Sequence, residues 1–259
     1  MSFLPKSATI LEGRYTWAQY APHALLAPWV SSYWMLRAEG RHVVRTLPDA
    51  CVDLTVQLAP DPRAYVAAAQ RKAQTRTSAT PVYLLGARLL PGTAALLGIA
   101  VDALGEEWTP LDTLLPKRLV ARLVRAVTSA SDVHAQIAAL DAFFSEHLLN
   151  RALDPRLTAA LGEVFARRGD VSVVDLAHCT GAHPRTLARL FQRAVGVSPK
   201  RFTRIVRLQS ALRALPAGES SARVASELGY TDQAHFIREV RELFGSTPRQ
   251  MVRISDQTR

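Results

Sequence analysis

The chain changes its hydrophobic rhythm once. Between Leu47 and Ala59, LPDACVDLTVQLA alternates: Val52, Leu54, Val56 and Leu58 fall on one side, and Cys51, Asp53, Thr55 and Gln57 on the other. In an extended chain successive side chains point to opposite faces, so this stretch predicts a half-buried strand. The aromatic VSSYWMLRA near Ser32 and PVYLLGARLL near Val82 predict two more strands, the latter stopped by the Pro91-Gly92 turn. DPRAYVAAAQRKAQTRTSATP, polar or alanine-rich, reads as a loop that can carry a short helix. From Pro116 the apolar positions recur at three- and four-residue spacing instead. LVARLVRAV and VHAQIAALDAFFSEHLL predict helices, the second with Val133, Ile137, Leu140 and Phe144 on one face. DPRLTAALGEVFARRGD predicts another, with Asp154 as N-cap and Pro155 at the first helical position. The expected fold class is α+β, with a mixed, partly β N-terminal domain over 1–150 and an all-α domain over 157–252. The boundary falls near residues 150–156.

Within the second domain one pattern occurs twice. Leu187, Arg189, Gly196 and Pro199 recur as Phe236, Arg238, Gly245 and Pro248, each 49 residues later. In the first copy SVVDLAHC predicts a short helix and Gly181 supplies the positive φ of a tight turn. PRTLARLFQRAV then predicts a second helix. Its Leu187, Leu190, Phe191, Ala194 and Val195 make a buried stripe. Arg185, Ala188, Arg189, Gln192 and Arg193 make the opposite one. In the second copy SARVASEL is the first helix, Gly229 the turn and Thr231 the expected N-cap, with Asp232 in the first turn. Phe236, Val240, Leu243 and Phe244 face inward; Gln233, Arg238, Arg241 and Glu242 face out. An arginine-rich face on a short helix after a glycine turn describes the recognition helix of a helix-turn-helix. The intervening RFTRIVRLQSALRAL predicts a helix ending at Pro216. About fourteen residues at 1.5 Å each make a spacer of roughly 20 Å. With the bodies of the modules added, the two readers sit about 34 Å apart, one turn of B-DNA.

Charge sharpens this picture. The 259 residues carry a net charge of +10. Residues 160–259 hold 16 Lys/Arg against 9 Asp/Glu, so most of the excess lies where the repeat lies. A basic domain predicts a polyanionic partner. The two cysteines, Cys51 and Cys179, lack the spacing of a disulfide framework or a zinc module, and the seven histidines show no HxxxH or HxH pattern. MSFLPKSATILEGRY lacks the apolar run of a signal peptide, and LLPGTAALLGIAV is too short to span a bilayer. A cytoplasmic, non-membrane protein without metal or cofactor is the expectation. RISDQTR at the end reads as a frayed tail.

LARLFQRAVGVSPKRFTRIVRLQSAL followed by ELGYTDQAHFIREVRELFGSTP resembles the DNA-binding domain of AraC-type transcription regulators. The resemblance covers about residues 157–252: two turn glycines, VGVSP, the RL-containing linker and DQAHF lie in order. It implies that Arg185, Ala188, Arg189, Gln233, Ala234 and Arg238 read bases. Arg207 and His235 match recurrent family positions suited to phosphate contact or to structure. Arg193, Lys200, Arg201, Arg204 and Arg241 are the other expected phosphate contacts. His183 stands where the family usually has Ser or Thr, which predicts a weaker cap, and Val240 replaces a common Phe. APWVSSYWMLRA, LPDACVDLTV and PGTAALLGI resemble a domain often found ahead of this module, with Ala50 in place of a usual Gly. The implied partners are double-stranded DNA, a small-molecule effector, RNA polymerase and a second copy of the chain.

Two rival readings differ in what they require. An enzyme with a catalytic N-terminal half needs His42, Cys51 and Asp53 within hydrogen-bond reach in one pocket. An RNA-binding module needs exposed stacking aromatics. The outward faces of both recognition helices carry none. For Trp29, Tyr33 and Trp34, a packed core is favoured over a ligand pocket.

Overall fold

The computed structural model describes residues 9–215, 220–248 and 250. Pro216 and the expected frayed tail from Arg253 lie outside the described residues. Seven strands form one antiparallel sheet: β1 (Thr9–Tyr20), β2 (Val30–Thr46), β3 (Val52–Ala59), β4 (Arg63–Ala67), β5 (Gln74–Ser78), β6 (Val82–Leu89) and β7 (Thr109–Pro110). Their order is β1-β2-β6-β3-β4-β7, with β5 paired to β2. The length of β2 has a simple cause. Along one edge it pairs with β1, and along the other it pairs first with β6 and then, from His42 to Thr46, with β5.

The period of two in β3 is realised residue by residue. Val52, Leu54 and Val56 enter the main core with Leu85, Ala87 and Leu89 of the neighbouring β6. Helices α2 (Lys117–Thr128) and α3 (Val133–Leu148) close that core with Leu123, Val127, Leu140 and Phe144. Asp132 fixes the start of α3, its carboxylate accepting from the backbone N–H of His134 and Ala135 at 2.9 and 3.0 Å. The polar side of β3 does not face solvent. It lines a cavity with the opposite face of the sheet, where Trp34, Leu36 and Leu84 form a second, smaller cluster.

Two strands replace the loop expected between Asp61 and Pro81. Ala64 and Val66 of β4 are buried, and β5, whose own residues are all polar, pairs with β2 from His42 to Thr46. Packing and pairing against neighbours distant in sequence, not local composition, decide such strands. The aromatic trio divides. Tyr33 is core and donates its hydroxyl to Asp141 at 2.8 Å; Trp29 packs against the core; Trp34 lines the cavity. Among the described residues no helix is long and apolar enough to cross a membrane.

The rest of the chain is helical: α1 (Thr93–Leu96) after β6, then α4 (Pro155–Ala166), α5 (Val173–Thr180), α6 (Pro184–Val195), α7 (Pro199–Ala214), α8 (Ser221–Glu227) and α9 (Gln233–Phe244). They enclose two cores. One gathers Leu157, Leu176, Leu187, Phe191, Phe202 and Ile205; the other gathers Leu208, Val224, Phe236, Val240 and Phe244. Each takes one residue from the same turn of the N-terminal half, Ala50 in the first and Leu47 in the second. Ala50 holds φ 58°, the left-handed region that explains the usual Gly there. Here its methyl group packs among the helices.

The sheet buries one guanidinium. Arg88 is 2% exposed and binds Asp53 twice, Nε to Oδ1 at 3.1 Å and Nη2 to Oδ2 at 2.9 Å. Its Nη1 lies 3.1 Å from Asp49 Oδ2. Burial pulls the Arg88 pKa down, but the two carboxylates outweigh it and hold the group protonated. Desolvation lifts Asp49 above its ordinary range, against the pull of Arg88. Whatever Asp49 contributes is therefore present below the ordinary carboxylate range and lost as pH rises through its raised value. Arg88→Leu leaves two carboxylates buried without a cation. It should destabilise the fold by about 3–5 kcal/mol at neutral pH and by less in acid, where the raised Asp49 is neutral. Denaturant unfolding at several pH values checks this; a loss independent of pH contradicts it.

Candidate nucleic-acid interface

The two copies fold alike. In the first, Ser172 caps α5 and Gly181 ends it at φ 61°. His183 then caps α6: its Nδ1 accepts from the Arg185 backbone N–H at 3.2 Å. The imidazole thus supplies the acceptor that Ser or Thr would. In the second, Ser220 caps α8 and the turn runs through Gly229 at φ 68°. The N-cap of α9 is Asp232, accepting from the His235 N–H at 2.6 Å, and not Thr231. The reason is the turn length. Gly181 and Gly229 are 48 residues apart but the caps His183 and Asp232 are 49 apart, so the second turn holds one more residue. Both recognition helices end on left-handed glycines, Gly196 and Gly245.

The expected base-reading residues lie outside. Arg185, Arg189, Gln233, Ala234 and Arg238 are exposed, and Ala188 is half-buried. Beneath them Leu187 and Phe236 are fully buried at matched positions, as are Phe191 and Val240. Arg185, Arg189 and Arg238 have no side-chain hydrogen bond or ion pair among the described residues.

The expected phosphate contacts split into two groups. Arg193, Lys200 and Arg241 are exposed. Arg201, Arg204 and Arg207, three residues apart on α7, are partly covered and already engaged. Arg201 donates to Glu242 at 3.0 Å and to the Arg71 carbonyl. Arg204 reaches Glu242 at 2.6 Å and Glu239 at 3.4 Å. Desolvation pulls the Arg204 pKa down, and these two carboxylates outweigh it. Arg207 lies 3.2 Å from Asp170, donates to the Gly169 carbonyl, and covers the Tyr230 ring at 5.3 Å. The fit there is close: a β-carbon on Gly229 would stand 2.4 Å from the Asp170 carboxylate. His235 is half-buried, 3.7 Å from Glu239 and edge-on to Tyr230. Glu239 itself is buried, a position the sequence reading passed over. Its signal was available: acidic residues three apart on α9 match arginines three apart on α7.

The N-terminal half touches the C-terminal end of each recognition helix. Arg71 donates to the Gly196 carbonyl at 3.2 Å, and Val101 packs on Gly196. Arg45 donates to the Phe244 carbonyl, and the Ala73 N–H to the Leu243 carbonyl at 2.7 Å. Both cations meet the end of a helix where unpaired carbonyls concentrate negative charge. Gln209 of α7 donates to the Pro48 carbonyl at 2.6 Å.

His42, Cys51 and Asp53 do line one cavity, of about 360 Å³. No hydrogen bond joins them among the described residues. His42 Nδ1 meets the Gly40 carbonyl at 2.8 Å, Asp53 is held by Arg88 and by Trp34 Nε1 at 3.3 Å, and burial pushes the Cys51 thiol up. A thiol so held is not an activated nucleophile. No group of three His, Cys, Asp or Glu among the described residues is placed to hold a metal ion.

Comparison with known proteins finds matches in two separate parts of the chain. Residues 176–254 match a helix-turn-helix domain, and residues 18–108 match a domain of unknown function (DUF6597). An uncharacterized HTH-type transcriptional regulator of Haemophilus influenzae is 33% identical over 99 residues, 38% of this chain and 33% of that protein. The probable thc operon regulatory protein of Rhodococcus erythropolis is 32% identical over 87 residues, 32% of this chain and 26% of that protein. The chain thus spans a third or less of these relatives. Among solved structures, an AraC-type regulator from Chromobacterium violaceum covers 38% of this chain and 90% of its own, at 29% identity and TM-score 0.36. ToxT from Vibrio cholerae covers 96% of this chain and 98% of its own, at 8% identity and TM-score 0.46.

Glu242 is held below the ordinary carboxylate range, chiefly by its hydrogen bond from Arg204 and also by Arg201. Its contribution to joining α7 and α9 is therefore complete above that range and lost as pH falls through the lowered value. Between about pH 5 and pH 3, wild-type stability should fall more steeply than that of Glu242→Gln. Parallel urea titrations compare them; equal slopes would show that the pair contributes nothing.

Proposed function

We infer that this chain, whose residues 176–254 match a helix-turn-helix domain, is a sequence-specific DNA-binding transcription regulator of the AraC type. In this reading α6 and α9 enter successive major grooves of double-stranded DNA, and the N-terminal half controls how they do so. One observation carries it. Arg189 and Arg238 occupy the same register of two like helices, exposed and unpaired, over stripes that are fully buried. Uncommitted arginines at that place suit the O6/N7 edge of guanine. Arg185, Ala188, Gln233 and Ala234 flank them as further base contacts. Arg193, Lys200 and Arg241 are the phosphate contacts whose charge is free. Arg201, Arg204, Arg207 and His235 act on DNA through the lobes they position, with phosphate contact secondary.

Control follows from the contacts at the helix ends. Arg45, Arg71 and Ala73 hold the last carbonyls of both readers, and the Leu47–Ala50 turn enters both cores. A shift of this turn moves both lobes together. A small-molecule effector bound in the N-terminal half is the natural cause of such a shift, and a second copy paired through that half would double the DNA site. Engagement of RNA polymerase and a cytoplasmic location complete the reading.

Arg189→Ala and Arg238→Ala should each weaken specific binding by about 1–3 kcal/mol and relax preference at different base positions. Arg193→Ala, Lys200→Ala and Arg241→Ala should weaken binding uniformly across sequences. Each should also reduce the slope of log K against log salt by about 0.9. Footprinting and titration at several salt concentrations test both. Unchanged footprints and preference in both Arg189→Ala and Arg238→Ala would overturn the base-reading assignment.

A further inference from the structure

The cavity in the N-terminal half is built of two unlike ends. One is aromatic. Trp17 and Trp34 stack with ring centroids 5.4 Å apart and planes 17° apart, and Trp108 lies under the Arg76 guanidinium at 5.7 Å. Trp34 lies flat against the sheet because position 86 has no side chain; a β-carbon there would stand 2.1 Å from its ring. The other end is polar. Thr55 Oγ1 lines it, buried and without a hydrogen-bond partner among the described residues, beside the Asp49–Arg88 ion pair at 3.1 Å. Thr55 is the polar face of β3 that the hydrophobic pattern left unexplained, and its side chain is fully buried.

We propose that this cavity binds an uncharged, flat aromatic molecule carrying one hydrogen-bonding head group, with the ring among Trp17, Trp34 and Trp108 and the head at Thr55. Three indoles favour a planar π-system over a flexible chain. The buried Thr55 hydroxyl gains by meeting a hydroxyl or carbonyl, because it otherwise stays desolvated without a partner. Charge decides against an ion. The formally charged lining residues are Asp49, Asp53, Arg76 and Arg88, two of each sign. Asp49 and Asp53 both pair with Arg88, at 3.1 and 2.9 Å, and Arg76 is occupied by the Glu106 carbonyl at 2.7 Å and by Glu107 at 3.7 Å. A ligand bearing its own charge would be desolvated without a free counter-charge. The volume sits at the lower end for small-molecule sites. This proposal gives chemistry to the effector invoked above, and its test needs no DNA, so either can fail alone.

Calorimetric titration of the full chain with indole-3-ethanol, indole-3-acetate, tryptamine and 1-octanol separates the alternatives, because the first three share a ring and differ in charge. Indole-3-ethanol is expected to bind at least tenfold more tightly than either ion or the alkyl alcohol. Thr55→Val, which keeps the shape and removes the hydroxyl, should weaken it about three- to tenfold with no fall in melting temperature. Trp17→Ala, at a partly exposed position, should weaken it at least tenfold. Tighter binding of an ion, equal binding of 1-octanol, or no binding of indole-3-ethanol would overturn the proposal. So would full affinity in a folded Thr55→Val.

Discussion

Three arginines on one helix fix where the two readers stand. Arg201, Arg204 and Arg207 project from α7 at three-residue intervals, and their partners lie in both lobes: Glu239 and Glu242 on α9, Asp170 beyond α4, the ring of Tyr230. A spacer helix alone would set only a length. The ion pairs add orientation, since guanidinium groups bind carboxylates in a defined plane. Partial burial limits their screening by salt. In the proposed function, two weak readers joined rigidly gain affinity because the second binds as an intramolecular step, and the gain vanishes if the geometry is wrong. The row of arginines is thus the constraint that makes a paired reader more useful than two separate ones.

The same constraint extends into the N-terminal half. The Arg71 carbonyl accepts from Arg201, while the Arg71 side chain holds the end of α6 and the Ala73 N–H holds the end of α9. Residues 71–73 therefore touch the spacer and both readers at once. Their neighbours Gln70 and Gln74 line the cavity, and so do Asp49 and Cys51, on either side of the Ala50 methyl that enters the first helical core. Few bonds separate the cavity wall from the recognition helices. A change at one has a short mechanical path to the other, carried by a turn and a loop rather than by a domain hinge.

Much of this was legible in the sequence because local rules and tertiary packing agree there. The repeat shows through its glycines and its three-to-four periodicity, and the strand at Val52–Leu58 through its period of two. The misses have physical causes. Beta strands such as Arg63–Ala67 and Gln74–Ser78 owe their existence to neighbours far along the chain. The polar face of β3 looked solvent-facing because alternation tells two faces apart without saying what covers each. The carboxylate partners of Arg201, Arg204 and Arg207 stayed hidden because a basic residue looks the same whether its anion is DNA or a carboxylate elsewhere in the chain. Thr231 looked a better cap than its neighbour because one extra residue in the second turn is invisible until the two copies are aligned in space.

The central claim is that the two lobes form one rigid reader, and the spacing of selected DNA sites measures it most directly. Selection of bound duplexes from a random pool is expected to return two dissimilar half-sites at a single separation, about 10–10.5 base pairs centre to centre. Recovery of one isolated half-site, or of two at freely varying separation, would contradict it.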